Sequence, residues 1–197
     1  MKHLKIALVI LLVFALGAGI YAWSGLYNPG ADNPHWKITY ALMQATRERS
    51  VERYASGIQI PANLNDSQLI LKGAGQYAAM CTSCHLAPGK KNSELRPGLY
   101  PQPPDLSKRI VDPGKAFWVI KHGLKMSAMP AWGISHDDAT IWSMVAFLQV
   151  LPRLTPSQYK EIVDKAPPDD DMDSMTDNAA MPIPHGHEQS RHTHTNS

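Results

Sequence analysis

Cysteine is nearly missing from this chain. Cys81 and Cys84 are the only two among 197 residues. A structural zinc site needs about four ligands. No second cysteine pair is present, and no histidine pair stands at a finger-like distance from the cysteines. Strand-like alternation is almost absent too, which removes the βαβ context a thioredoxin-type C-x-x-C requires. No stripe of aromatic and basic residues of the RNA-binding kind occurs. Excess charge of one sign is also small, at +2 overall. That figure hides an asymmetry. Residues 1–65 carry six Lys/Arg against three Asp/Glu, residues 66–160 eleven against six, and residues 161–197 two against eight. A basic centre ahead of an acidic tail suits docking to an acidic protein or membrane surface, and not nucleic acid.

The two cysteines stand in Cys81-Thr-Ser-Cys84-His85. C-x-x-C-H is the attachment pattern of a c-type haem. Each thiol adds across one vinyl group of the porphyrin, and a spacing of three matches the two vinyls along a helical turn. The histidine next in sequence reaches the iron from the proximal side.

Long apolar runs are equally scarce. One exists, the 18 residues from Ile6 to Trp23, preceded by Lys2 and Lys5. This length lies at the short end of a membrane span. Ala15-Leu16-Gly17 offers a signal-peptide cleavage site. The run continues past it through Ile20 and Tyr21, and Tyr21, Trp23 and Tyr27 suit the membrane interface. The reading is a retained anchor, with the two lysines cytoplasmic and the remainder outside, in a bacterium the periplasm. Residues 28–35 form a turn-rich linker. Trp36, Tyr40, Met43, Val51 and Tyr54 recur at near-helical spacing with Arg47, Arg49 and Arg53 between them. They predict an amphipathic helix that lies on anionic lipid or packs on the following domain.

Further helices are predicted from three caps. One opens at Asn65, with Gln68 completing a capping box, and runs to Cys81. A second has Asp112 as cap, Pro113 at its first position and Gly123 as its stop. A third starts at Ser135, with Asp138 three residues on, and carries the core stripe Ile141, Met144, Val145, Leu148 and Leu151. A short helical turn capped by Thr155 or Ser157 follows around Tyr159. The proline-rich stretch from Leu86 to Leu106 reads as loop. His136 reads as surface. Beyond Ala166 the chain lacks apolar periodicity and is expected to be disordered. Its His185-Gly-His187 and His192-Thr-His194 pairs are possible metal ligands.

Gly73-x3-Tyr77-x3-Cys81, Cys-Thr-Ser-Cys-His, Met129-Pro-Ala-Trp-Gly and Ala146-Phe147-Leu148 together resemble class I cytochromes c, in particular the small membrane-anchored bacterial monohaem ones. The resemblance covers about residues 66–152. It implies an all-α haem domain in which the first and last helices cross, with Gly73 and Tyr77 against Phe147. It implies one covalent haem c on Cys81 and Cys84, with His85 and Met129 as axial ligands, and Met126 and His122 as rivals to Met129. It implies a proline carbonyl accepting from His85, for which Pro104 is preferred over Pro97. Trp118, Trp132 and Trp142 are expected as haem-pocket and core packing. The domain plan is an anchor over 1–27, a linker and juxtamembrane helix over 28–62, the haem domain over 63–160 and a tail over 161–197. The implied function is one-electron transfer in the periplasm at the inner membrane. The implied partners are quinol-oxidising complexes, periplasmic dehydrogenases, and a terminal oxidase or reductase. An open-iron peroxidase or gas sensor, and a metal-binding protein using the histidine tail, are the alternatives.

Overall fold

Helix α6 (Asp138–Val150) is the axis around which the haem-motif region is built. Its apolar stripe Ile141, Met144, Val145 and Leu148 is buried, and so are Thr140, Ser143, Ala146 and Phe147 on its other sides. A helix closed off on nearly every side lies at the centre of a core, not on its edge. The computed structural model describes residues 2–168. Among these, α1 (Lys2–Trp23) is followed by α2 (Lys37–Ala55), α3 (Ser67–Met80), α4 (Thr82–His85) and α5 (Pro113–His122). After α6 comes α7 (Pro156–Asp164), and short 3-10 turns stand at 96–98, 106–108, 132–134 and 151–153. No strand occurs among the described residues.

The α3–α6 crossing fixes the fold. At Gly73 an added Cβ would run into the backbone carbonyl of Ser143 and come within 3.0 Å of Phe147 Cβ. Glycine is required there because the two helices meet backbone to backbone. One turn on, Tyr77 packs on Phe147 with ring centroids 5.5 Å apart. Gly75 serves a second approach, since a Cβ there would come within 3.0 Å of Ala166 Cβ as the chain passes back over α3.

The helix starts shift from those read in the sequence. The α3 cap is Asp66, not Asn65: its carboxylate accepts from the backbone N–H groups of Gln68 and Leu69. The α6 cap is Asp137, not Ser135, and accepts from Thr140 N at 2.7 Å. In both cases the aspartate lies nearer the start of the apolar register and carries full charge toward the positive helix end. His136 consequently falls before the cap and turns inward. It is 5% exposed, a correction to its surface reading. α5 has Asp112 as cap, Pro113 at its start and Gly123 just past its end. α7 is a nine-residue helix with a full capping box between Thr155 and Gln158. It continues past position 160, and Tyr159, Ile162 and Val163 pack on the core.

α2 divides in two. Val51 and Ala55 near its end are buried, Tyr54 stacks on Trp118 of α5 at 5.6 Å, and Glu52 pairs with Lys115 at 3.1 Å. Its first half leaves Trp36, Ile38 and Leu42 exposed. α1 is exposed along its whole length and is, among the described residues, the one helix long and apolar enough to cross a membrane. The histidine pairs and acidic run expected in the tail lie outside the described residues.

Candidate functional site

The pentapeptide closes a turn at the end of α3. Cys81 is the C-cap residue, its N–H donating to Tyr77 O at 3.0 Å. Cys84 and His85 donate in turn to Cys81 O at 3.2 and 2.8 Å. Two thiols three residues apart therefore stand on one short helical turn. The chain then leaves through Leu86, which has φ +64°, a region β-carbon residues occupy at a cost of about 1–3 kcal/mol. What holds it is Tyr77, whose buried hydroxyl donates to Leu86 O at 2.7 Å and lies 3.3 Å from His85 O. Burial pushes the Tyr77 hydroxyl pKa far above its usual value, with Cys81 adding in the same direction, so it stays a donor.

His85 Nδ1 lies 2.9 Å from Pro104 O. A carbonyl only accepts, so Nδ1 carries the proton and Nε2 presents its lone pair. Burial, with the Arg96 guanidinium acting in the same sense, lowers the His85 pKa, while the Pro104 bond opposes the shift. The neutral imidazole that a metal requires is thereby favoured. Burial and the neighbouring Cys84 push the Cys81 thiol up to about 12.

The loop after α5 is built around Gly123, which has φ +65°. An added Cβ there would meet Met129 O at 2.7 Å and Pro130 C at 2.7 Å. Leu124 N donates to Met129 O at 3.1 Å, and Met129 N donates to Ser127 Oγ at 3.2 Å. Met129 is partly buried against the core, as are Cys81 and Trp132. Met126 lies out in solvent, 89% exposed, with φ +56°. Trp118 is set apart from this group: its ring is taken up by Tyr54 of α2 and by His122, 5.1 Å away at the exposed end of α5. Trp142 stacks on Phe117 at 4.3 Å.

Sequence reasoning passed over Arg96 and put His136 at the surface. Arg96 Nη2 donates to Pro103 O at 3.0 Å, next to the His85 acceptor. His136 lies edge-on to Trp132 at 5.5 Å, with Nδ1 2.9 Å from Ser135 Oγ. Neither belongs to a motif, and only the folded loops bring them in.

The donor set fits a c-type haem: two thiols on one turn, a histidine with a free Nε2, and a thioether held in a separate loop. Residues 68–148 match the family model described as cytochrome C oxidase, cbb3-type, subunit III. Neither the curated proteins nor the solved structures gave a match.

Proposed function

We propose that this chain is a membrane-anchored electron carrier with one covalent haem c and His/Met ligation, built on a class I c-type cytochrome domain over the residues 68–148 that match the family model. The bound group supplies a one-electron Fe(III)/Fe(II) couple. Cys81 and Cys84 are the proposed thioether positions, His85 the proximal ligand and Met129 the sixth. The observation that carries the reading is the His85–Pro104 bond, which sets the tautomer and ring orientation an axial ligand needs. The pinned backbone of Met129, against the exposure of Met126, supports Met129 as the second ligand. A thioether is soft and neutral, so it favours Fe(II) and a higher potential than a second histidine would give.

What the chain does around that couple is to hold still. Tyr77, which packs on Phe147 at the α3–α6 crossing, fixes the carbonyls of the ligand turn, and Gly123 lets the Met129 loop close. Trp132 is the proposed apolar wall, while Trp118 is assigned to docking α2. Rigid ligation keeps the geometry of the two oxidation states alike, which lets electrons move with little rearrangement. Lys91, Lys108 and Arg109 surround the Pro104 side and suit approach of an acidic partner.

Residues 1–27 are the proposed anchor and 28–62 the juxtamembrane part; the haem domain starts at 63 and runs past the sequence-based bound of 160, because α7 carries Ile162 and Val163 onto the core, and the tail follows α7. Lys2 and Lys5 put their flank of α1 in the cytoplasm, so the haem domain lies in the periplasm at a bacterial inner membrane. Confinement to that plane suits exchange with a quinol-oxidising complex, a dehydrogenase or a terminal oxidase. The family match favours the oxidase. The test is the spectrum of the oxidised Met129→Ala protein. Loss of the far-red charge-transfer band of thioether-ligated ferric haem, with new CO binding after reduction, is expected. An unchanged band moves the sixth ligand to Met126, and absence of the band from the parent sinks His/Met ligation.

A further inference from the structure

The stretch between His85 and Pro104 spans almost twenty proline-rich residues with only one short 3-10 turn, at 96–98. A loop of that length is ordinarily mobile, yet it delivers the acceptor that orients His85. Tyr100 ties it to His35 and Tyr40, and a second line of fixing points runs through Arg96. The Arg96 guanidinium donates through Nη2 to Pro103 O at 3.0 Å. Its backbone N–H donates to Ser93 Oγ at 3.3 Å, and the Ser93 hydroxyl donates to the carbonyl of Ser83, inside the Cys-Thr-Ser-Cys-His turn. A chain of bonds thus runs from the ligand turn through Ser93 and Arg96 to Pro103, then through Pro104 back to His85.

Proline geometry makes the last link stiff. Pro104 has φ fixed by its ring. Once the Pro103 carbonyl is held, a single soft torsion separates that peptide plane from the Pro104 carbonyl. The charge of Arg96 is not cancelled by its neighbour: the Asp105 carboxylate is engaged by Ser107 at 2.6 Å and by Lys108 at 2.9 Å. Arg96 is itself half-buried, and its Nε is buried with no partner among the described residues. Its charge is therefore less screened than those of the exposed lysines around it.

We propose that Arg96 is a positioning residue for the proximal ligand. Its planar fork fixes the Pro103–Pro104 hinge that orients His85, and its charge favours the reduced iron. This rests on the haem reading above. It assigns two separable effects to one side chain, and lysine can replace only the second.

The test uses the full-length haem-loaded protein with R96Q, R96K and S93A, and two readouts. These are the Fe(III)/Fe(II) equilibrium against a reference couple and NMR exchange of the His85 Nδ1 proton. R96Q is expected to shift the equilibrium about tenfold toward Fe(III), which is about 59 mV for one electron, and to speed proton exchange about tenfold. R96K is expected to keep the equilibrium within about threefold of the parent while exchange stays fast. S93A keeps the charge and cuts the brace, so it should speed exchange alone. Parent-like values in both R96Q readouts overturn the proposal, and so does parent-like exchange in R96K. If R96Q fails to load haem, S93A decides: exchange at the parent rate overturns the bracing role. A parent protein with no histidine-ligated haem spectrum would instead sink the functional reading itself.

Discussion

At the scale of single residues, the fold makes specific demands at three positions in this chain. Leu86 sits at φ +64° beneath the Tyr77 hydroxyl. His136 is buried beside Trp132, with Nε2 lacking a partner among the described residues. Gly123 sits at φ +65° with backbone atoms of Met129, Pro130 and Ala131 all within 2.8 Å of where a Cβ would stand. None of those neighbours is the end of a mobile side chain. Gly123→Ala should therefore cost about 2 kcal/mol or more, from the left-handed backbone and the forced separation of the two strands of the loop. Urea unfolding should show a lower midpoint at unchanged slope. The same variant should weaken the thioether charge-transfer band, because the backbone of Met129 is what must move. A lower midpoint with the band intact would show that the loop relaxes elsewhere.

At the scale of elements, α3 and α6 make the core and α2 is the attachment. α6 is enclosed on nearly every side. α2 instead touches α5 through a few side chains near its C-terminal end. The Glu52–Lys115 pair there is exposed on both sides, 57% and 46%, and such pairs contribute about 0–1 kcal/mol. The stacked Tyr54–Trp118 pair and buried Val51 and Ala55 hold α2 in place. Tyr54→Ala should loosen α2 without unfolding α3 and α6. Trypsin should then cut at Arg47, Arg49 and Arg53 several-fold faster, while the haem spectrum stays as in the parent. Equal cleavage rates in the two proteins would mean that the stacking contributes nothing to docking.

At the scale of the whole molecule, the shifted groups define how stability follows pH. Burial works against ionisation of Asp105, but bonds from Ser107 and Lys108 outweigh it and leave its pKa below 3.8. The Thr140 N–H and hydroxyl lower that of Asp137, and Lys165 lowers that of Glu161. A carboxyl with a depressed folded pKa adds stability that is present above its unfolded value. That stability is lost as pH falls through the folded one. The melting temperature should therefore hold from neutral pH down to the ordinary carboxyl range of 3.8 to 4.5 and fall below it. Asp137→Asn keeps a cap that does not titrate, so its deficit relative to the parent should shrink below pH 3.8. A deficit constant across pH would show that the Asp137 charge plays no part. On the alkaline side, burial holds the Tyr159 hydroxyl up to about 12, so it does not ionise near neutrality.

Much of this was legible along the chain because its causes are local. Two cysteines three apart followed by histidine, one apolar run, an Asp-Pro helix start and a Gly stop are each properties of adjacent residues, so sequence alone determined the all-α class, the C-x-x-C-H motif and the N-terminal apolar helix. The Gly73-Tyr77 face was legible too, since a glycine in mid-helix signals close approach. Tertiary structure decided what depends on residues far apart. The helix caps fell to Asp66 and Asp137 because packing set the register of α3 and α6. His136 turned inward for the same reason. Trp118 went to Tyr54, 64 positions earlier, because α2 folds back over α5. Pro104 and Arg96 meet His85 across a loop whose path no periodicity encodes. Spacing fixes what a segment is, whereas closure of long loops and competition for buried surface decide what it faces.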